Sequence, residues 1–279
     1  MKLAEALRRS TTYLERKGVP SPRVDAEHLL GKALDLTRVQ LYMEHDRPLT
    51  EDELAIARRL VERRGRREPL AYILGEWGFR RLMLRVDARA LIPRPETEIV
   101  VERCLALLDG IATPKVLDVG TGSGAIALAL ADEHPGVRVT AFDNSPEALA
   151  LARENVMRAR LWERVELHEH DLTEGFGPAR FDLVVANPPY VAREEMSELE
   201  PEVRDWEPRA ALVANGATKT VARAAAKALK PGGWLVLEVA DGEANRTGAL
   251  LVELGYEKIG ITPDLAGRER VVEGQWPQR

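Results

Sequence analysis

Asn187-Pro188-Pro189-Tyr190 brings an amide, two imino acids and an aromatic ring to the end of an apolar run, 181–186, that reads as a buried strand. The chemistry open to such a set is narrow. An amide oxygen and a backbone carbonyl can accept hydrogen bonds from a flat amide or amine, and a ring can stack on its face. Neither proline has an N–H to give a sheet ladder, so the pair ends the strand and stiffens the backbone at its carboxyl end. In open α/β sheets ligands sit at that end. The plain alternative is a strand stop followed by a surface tyrosine.

A second group lies upstream. Residues 116–119 read as a short buried strand and 125–131 as an alanine-rich helix, with Gly120-Thr121-Gly122-Ser123-Gly124 between them. Glycines at alternate positions let the backbone turn tightly and approach a ligand, and the helix start offers free N–H groups. Gly120, Gly122 and Ala125 also satisfy the looser dinucleotide pattern G-x-G-x-x-G/A, so this segment points to a nucleotide-type cofactor without identifying it. The next strand, 137–142, ends in Asp143, about 20 residues past the first glycine, where a carboxylate can accept from ribose hydroxyls. Ser145 then caps a helix with Pro146 at its first position. A dehydrogenase and a methyltransferase would both use Asp143. Hydride transfer leaves the 187–190 tetrad unexplained.

The run 118–124 resembles the S-adenosylmethionine loop of class I methyltransferases, and the tetrad resembles that of enzymes methylating a planar exocyclic or amide nitrogen. Leu91-Ile92-Pro93-Arg94-Pro95-Glu96-Thr97-Glu98 narrows the match to HemK-type (PrmC) methyltransferases, which modify a glutamine of peptide-chain release factors. Tyr72-Ile73-Leu74-Gly75-Glu76, Glu200-Pro201-Glu202-Val203-Arg204, Glu207-Pro208-Arg209-Ala210-Ala211-Leu212 and Gly267-Arg268-Glu269-Arg270-Val271 fit the same family. The resemblance implies an α/β class I methyltransferase fold: a doubly wound, Rossmann-like sheet with an antiparallel edge. A small all-α N-terminal domain and a β-hairpin linker precede it. The implied division is a helical substrate-recognition domain at 1–76, the linker at 77–92 and the catalytic domain at 93–279. Residues 238–243 depart from the family, following the fifth strand where relatives carry a longer Gly/Gln-containing turn. Trp77-Gly78-Phe79-Arg80 is a loose match to the usual aromatic pair before the hairpin.

A glutamine nitrogen shares its lone pair with the carbonyl and is a poor nucleophile. Transfer from a sulfonium therefore depends on placing it at near-attack distance, about 3–3.5 Å. By resemblance, the Asn187 side-chain oxygen and the Pro188 carbonyl pull on the NH2 protons, the prolines fix their direction, and Tyr190 stacks on the amide. The scheme needs no general base, so none of the five histidines is assigned a role. His168 and His170 read as polar positions on one strand. The same resemblance places Gly120, Thr121, Gly122, Ser123 and Gly124 against the methionine and ribose parts of the cofactor. It places Asp143 on the ribose and Asp171-Leu172 on the adenine, with Asn187 touching both cofactor and substrate. Arg94 and Glu96 cover the site by resemblance, although Pro95, Glu96 and Glu98 also make an ordinary helix start.

Whole-chain features fit a large and a small domain. The 279 residues contain 45% apolar residues, ample for a core, and no apolar run of membrane-spanning length. The chain opens without a charged-then-apolar leader, so a cytoplasmic protein is expected. Cys104, the single cysteine, allows no intrachain disulfide, and no spaced His/Cys/carboxylate set suggests a metal. Residues 1–80 read as helices, with Thr50 and Glu53 as a capping pair, and 77–91 as a hairpin. Strands and helices alternate from Pro95 onward, with a fifth strand at 232–239 and a terminal pair near 256–261 and 271–276, which by the resemblance form the antiparallel edge.

Charge is unevenly divided. Residues 1–90 carry 19 basic and 14 acidic side chains (+5), and residues 91–279 carry 21 and 31 (−10). The cluster Arg63-Arg64-Gly65-Arg66-Arg67 reads first as a solvated helix end and second as a surface for an acidic partner. An acidic catalytic half does not favour nucleic acid. The expected activity is N5-methylation of the glutamine in the Gly-Gly-Gln loop of class-1 release factors by a monomer using S-adenosylmethionine. The alternatives are an adenine-N6 or guanine-N2 nucleic-acid methyltransferase using the same tetrad, a dinucleotide-dependent dehydrogenase, and a catalytically silent binding module.

Overall fold

Leucines 3, 7 and 14 recur at helical spacing, and helices fill the first quarter of the chain. The computed structural model describes residues 1–278 apart from 179 and 215, and the chain divides into two compact units. The smaller comprises Met1–Glu76 and Leu199–Trp206. It contains α1 (Leu3–Arg16), α2 (Pro22–Leu34), α3 (Arg38–Met43), α4 (Glu51–Gly65) and α5 (Leu70–Leu74), joined by the short helix Pro201–Arg204 from the distant segment. Leu3, Leu14, Leu29, Leu30, Leu54 and Ile73 form its core. Thr50 and Glu53 cap α4 reciprocally, with Glu53 N donating to Thr50 Oγ1 at 3.2 Å and Thr50 N to Glu53 Oε2 at 2.8 Å. Thr37 and Gln40 do the same for α3, a helix the spacing of apolar residues did not reveal because it is only six residues long.

The basic cluster at 63–67 is not a solvated end. Arg64 is buried, donating to Asp25 Oδ2 at 2.6 Å and pairing with Glu202 at 2.7 Å. Arg67 forks onto Glu202 at 2.7 and 2.6 Å and reaches Glu200 at 2.9 Å, and Arg63 holds Glu68. The acidic partners of Arg64 and Arg67 therefore include the chain's own segment Leu199–Trp206.

The larger unit is Trp77–Glu198 with Glu207–Arg279. A hairpin of β1 (Glu76–Phe79) and β2 (Leu82–Arg85) leads to α6 (Pro95–Leu107), β3 (Lys115–Val119), α7 (Ala125–Glu133), β4 (Arg138–Asp143), α8 (Pro146–Ala159), β5 (Val165–Glu169) and β6 (Phe181–Ala186). Counting the Pro201–Arg204 turn as α9, there follow α10 (Arg209–Leu212), α11 (Ala217–Ala228), β7 (Leu229–Glu238), α12 (Ala244–Glu253), β8 (Glu257–Pro263) and β9 (Glu269–Gln275). Among the described residues, the sheet order is β5-β4-β3-β6-β7-β9-β8. The first five strands are parallel and β9 runs antiparallel to both neighbours. β7 starts earlier than the 232–239 read from sequence, and its register with β6 shifts around Pro231, which has no N–H for a ladder. No helix among the described residues is long and apolar enough to cross a membrane.

Strand alternation sorts the core into two layers. Val116, Leu183, Val185 and Val236 pack with α6 and α7 on one face, and Leu117, Val184, Leu235 and Leu237 with α11 and α12 on the other. Cys104 lies in the first layer, fully buried on α6. Helix α7 is buried from Ala125 to Ala131 and so cannot drift relative to the loop before it.

Arg64 gives the first prediction. Arg64→Ala leaves the Asp25 carboxylate buried without its cation and takes one of two guanidiniums from Glu202, and urea unfolding followed by circular dichroism should show a loss of about 3–5 kcal/mol. A change below about 1 kcal/mol, the worth of an exposed pair, would mean that water reaches these groups.

Candidate active site

The ladder register brings the sequence motifs to one level. Val119 of β3 lies opposite Phe142 of β4 and Ala186 of β6, and Ala186 lies opposite Leu237 of β7. The next residue of each strand, Gly120, Asp143, Asn187 and Glu238, therefore stands in a row along the carboxyl ends. The strand order reverses between β3 and β6, so the loops after them diverge and leave a crevice.

A cavity of about 690 Å³ opens there, within the size range of sites for cofactor-sized ligands. Gly120, Thr121, Gly122, Ser123, Asp143, Leu172, Asn187, Pro188 and Pro189 all line it. Positive φ at Gly120 (76°) and Gly122 (56°) lets the loop fold back under β4. Gly120 N and Thr121 N then donate to Phe142 O at 2.8 and 2.9 Å, and Gly122 N donates to Asp143 Oδ2 at 2.8 Å. Ser145 N holds the other carboxylate oxygen at 2.9 Å, which keeps Asp143 pointed at the loop. Burial pushes the Asp143 carboxyl up against the lowering effect of those N–H donors.

Three sequence candidates stand elsewhere. Gly124 does not line the cavity; it caps α7 with φ 84°, and a Cβ there would come within 3.2 Å of Leu128. Asp171 is turned away, its Oδ1 accepting from Thr173 N at 2.8 Å and Thr173 Oγ1 at 2.7 Å as the cap of the 3-10 turn Leu172–Glu174. Tyr190 is not on the cavity wall either. It is half-buried, burial pushes its hydroxyl pKa up, and Glu238, Arg270, Arg94 and Glu96 are the charges it feels.

The wall opposite the glycine loop joins two motifs far apart in sequence. Glu207 is buried, accepts from Ile92 N at 3.2 Å, and takes the Arg94 guanidinium. That contact holds the stretch 89–94 against 208–211, both of which line the cavity. Burial pushes Glu207 up, and Arg94 opposes it.

Comparison with known proteins decides the family. The PrmC N-terminal domain model matches residues 5–75 and the methyltransferase small domain model matches residues 97–251. A release factor glutamine methyltransferase of Geobacter sulfurreducens is 43% identical over 94% of this chain and 93% of its own. One of Deinococcus radiodurans is 42% identical over 99% of both chains. The chain belongs to the release factor glutamine methyltransferase family. It is an S-adenosylmethionine-dependent methyltransferase. The fold is also that of the hMettl16 catalytic domain, crystallised in complex with MAT2A 3'UTR hairpin 6, at TM-score 0.53, with 14% identity over 70% of this chain and 75% of that one. The residues present suit the family's cofactor: a glycine cradle, a carboxylate at the tip of β4, and apolar walls from Phe142, Leu172 and Val221.

Several residues at this family site were not singled out from sequence. His170, read from sequence on one strand with His168, lies just past the end of β5, lines the cavity and packs on Phe142 with ring centroids 4.4 Å apart. Asp118 lies beneath the glycine loop, its Oδ2 accepting from Thr121 Oγ1 at 2.7 Å and Ala127 N at 3.2 Å, while Oδ1 is buried without a partner. Burial pushes its carboxyl up to about 7. Thr97 and Glu238 complete the set: Thr97 Oγ1 donates to Glu238 Oε2 at 2.7 Å, and Asn187 Nδ2 donates to Thr97 Oγ1 at 3.4 Å.

Asp118 yields a pH prediction. Its folded pKa of about 7 exceeds the ordinary value of 3.8, so across that window the folded chain keeps a proton that the unfolded chain releases. Its contribution to stability therefore falls as pH rises toward 7. In urea titrations at a series of pH values, Asp118→Asn should gain stability relative to the native chain as pH rises. A stability difference that stays constant with pH would show that Asp118 is ionised throughout.

Proposed function

We propose that this chain methylates the side-chain nitrogen, N5, of the glutamine in the Gly-Gly-Gln loop of class-1 peptide-chain release factors. The reading is supported most by the meeting of Asn187 and Pro188 with the glycine cradle in one cavity at the end of the sheet. S-adenosylmethionine supplies an electrophilic methyl group on a sulfonium.

Each remaining part of the mechanism belongs to the chain's own residues. Gly120, Thr121, Gly122 and Ser123 bring backbone close to the cofactor, Asp143 accepts from its ribose, and Leu172 packs on its base. Asn187 Oδ1 and the Pro188 carbonyl accept the two N–H bonds of the glutamine amide. Holding both protons orients the nitrogen and turns its lone pair away from the carbonyl that normally shares it. The proton lost after transfer comes from an N-methylated, protonated amide, which is acidic enough to release it without a side-chain base. Catalysis is then placement of a weak nucleophile in a fixed polar frame. Residues 1–76 serve to grip the release factor, and the enzyme acts as a cytoplasmic monomer.

Purified release factor incubated with enzyme and S-adenosylmethionine should gain one methyl group on the Gly-Gly-Gln peptide by mass spectrometry. Methylated adenine or guanine in nucleic acid, with the factor unchanged, would reverse the assignment. Asn187→Ala should reduce turnover by about 10²–10³-fold while S-adenosylhomocysteine still binds. Near-normal turnover would remove Asn187 from the mechanism.

A further inference from the structure

Asn187 can serve as an acceptor only if its side-chain oxygen, not its NH2, faces the substrate, and an amide has two nearly isosteric orientations. We propose that Thr97 and Glu238 are positioning residues that set this orientation through a hydrogen-bond chain of fixed direction. The proposal rests on the acceptor role given to Asn187 above and adds what enforces it.

The three groups meet because of strand parity. Asn187 continues the alternation of Leu183 and Val185, and Glu238 that of Val236, so both side chains point to the face covered by α6, which carries Thr97. Glu238 is 1% exposed and Thr97 5% exposed. Thr97 Oγ1 donates to Glu238 Oε2 at 2.7 Å. Asn187 Nδ2 donates to Thr97 Oγ1 at 3.4 Å and also hydrogen-bonds Glu238. Asn187 thus turns its NH2 to the α6 side, and its oxygen end is left for the cavity that Asn187 lines.

The direction follows from what a carboxylate can do. An ionised carboxylate only accepts, so the Thr97 hydroxyl must spend its single proton on Glu238. Its oxygen is then available to Asn187 only as an acceptor, so Asn187 must turn NH2 toward it. Protonation of Glu238 removes the constraint. A carboxylic acid can donate to Thr97, Thr97 can donate to Asn187 Oδ1, and the flipped amide would present NH2 to the NH2 of the incoming glutamine. Two donors facing each other cannot hold the substrate.

Burial pushes Glu238 up to about 7, so both states are within reach of ordinary pH. Arg270 pulls it down and Glu96 on α6 pushes it up, and Tyr190 on the loop after β6 also faces it. The active, acceptor-only form is the ionised one, so turnover should rise with pH through about 7 and level off above it.

The test measures methyl transfer to release factor across pH in the full-length enzyme, with S-adenosylhomocysteine affinity by calorimetry as the check on folding. Thr97→Val, close to isosteric, should lower kcat by about 100-fold, the cost of a misplaced reacting group. KM and S-adenosylhomocysteine affinity should stay within about twofold of the native values. Thr97→Ser, which keeps the hydroxyl, should recover most of the loss. Glu238→Gln can both donate and accept, so it should lower kcat and abolish the rise through neutral pH. In the Asn187→Ala background Thr97→Val should cost nothing more, because the group it positions is gone.

A pH limb that survives Glu238→Gln, or a Thr97→Val effect that falls on KM alone, would overturn the relay. If Asn187→Ala is inactive while Thr97→Val and Glu238→Gln behave as native, the relay fails and the acceptor role stands. If Asn187→Ala is itself active, the acceptor role fails with it.

Discussion

Parallel strands that share a hydrogen-bonded ladder cannot slide past one another without turning every side chain to the wrong face. Everything at this site depends on that constraint. With Val119 opposite both Phe142 and Ala186, and Ala186 opposite Leu237, four loops begin at one height. Each contributes a different piece: a bare backbone, a carboxylate, an amide and a buried acid. A one-residue shift of β6 alone would send Asn187 to the α11 face and away from Thr97.

The polar groups here are held by backbone and by each other. Asp143 takes two loop N–H groups, Asp118 takes the Thr121 hydroxyl and the start of α7, and Glu207 takes Ile92 N and Arg94. Such groups lose little reorganisation energy when a substrate arrives, because their dipoles already point where they are needed. The cost is carried by carboxyls whose charged forms burial disfavours, offset in part by the donors around them.

The parts legible in the sequence were those whose chemistry is local. Three glycines in five residues, an acid at a strand tip and a double proline after an apolar run each declare a backbone requirement in place, and the motifs extended this to the whole fold. Thr50 and Glu53 were readable for the same reason, since a capping box spans one turn. Thr97 and Glu238 were not, because they lie 141 positions apart and meet only through strand parity. The turn after Glu238 read as a family departure with a doubtful contact, yet Glu238 itself is fully engaged. Asp171 and Tyr190 were named from motif position alone; Asp171 caps a 3-10 turn, and Tyr190 stands near Glu238. Arg64 and Arg67 looked like surface because Glu200 and Glu202, which they pair with, follow more than 130 positions later.

The helical unit is assembled from two stretches of chain, since Leu199–Trp206 packs with the first 76 residues. The backbone therefore passes between the units at three places, after Glu76, after Glu198 and after Trp206. A polypeptide ending at residue 76 would strand Arg64 without Glu202, and one starting at residue 77 would strand Glu200 and Glu202 without their guanidiniums. Neither half is a self-sufficient module, so moving the helical unit onto another scaffold requires grafting two loci at once.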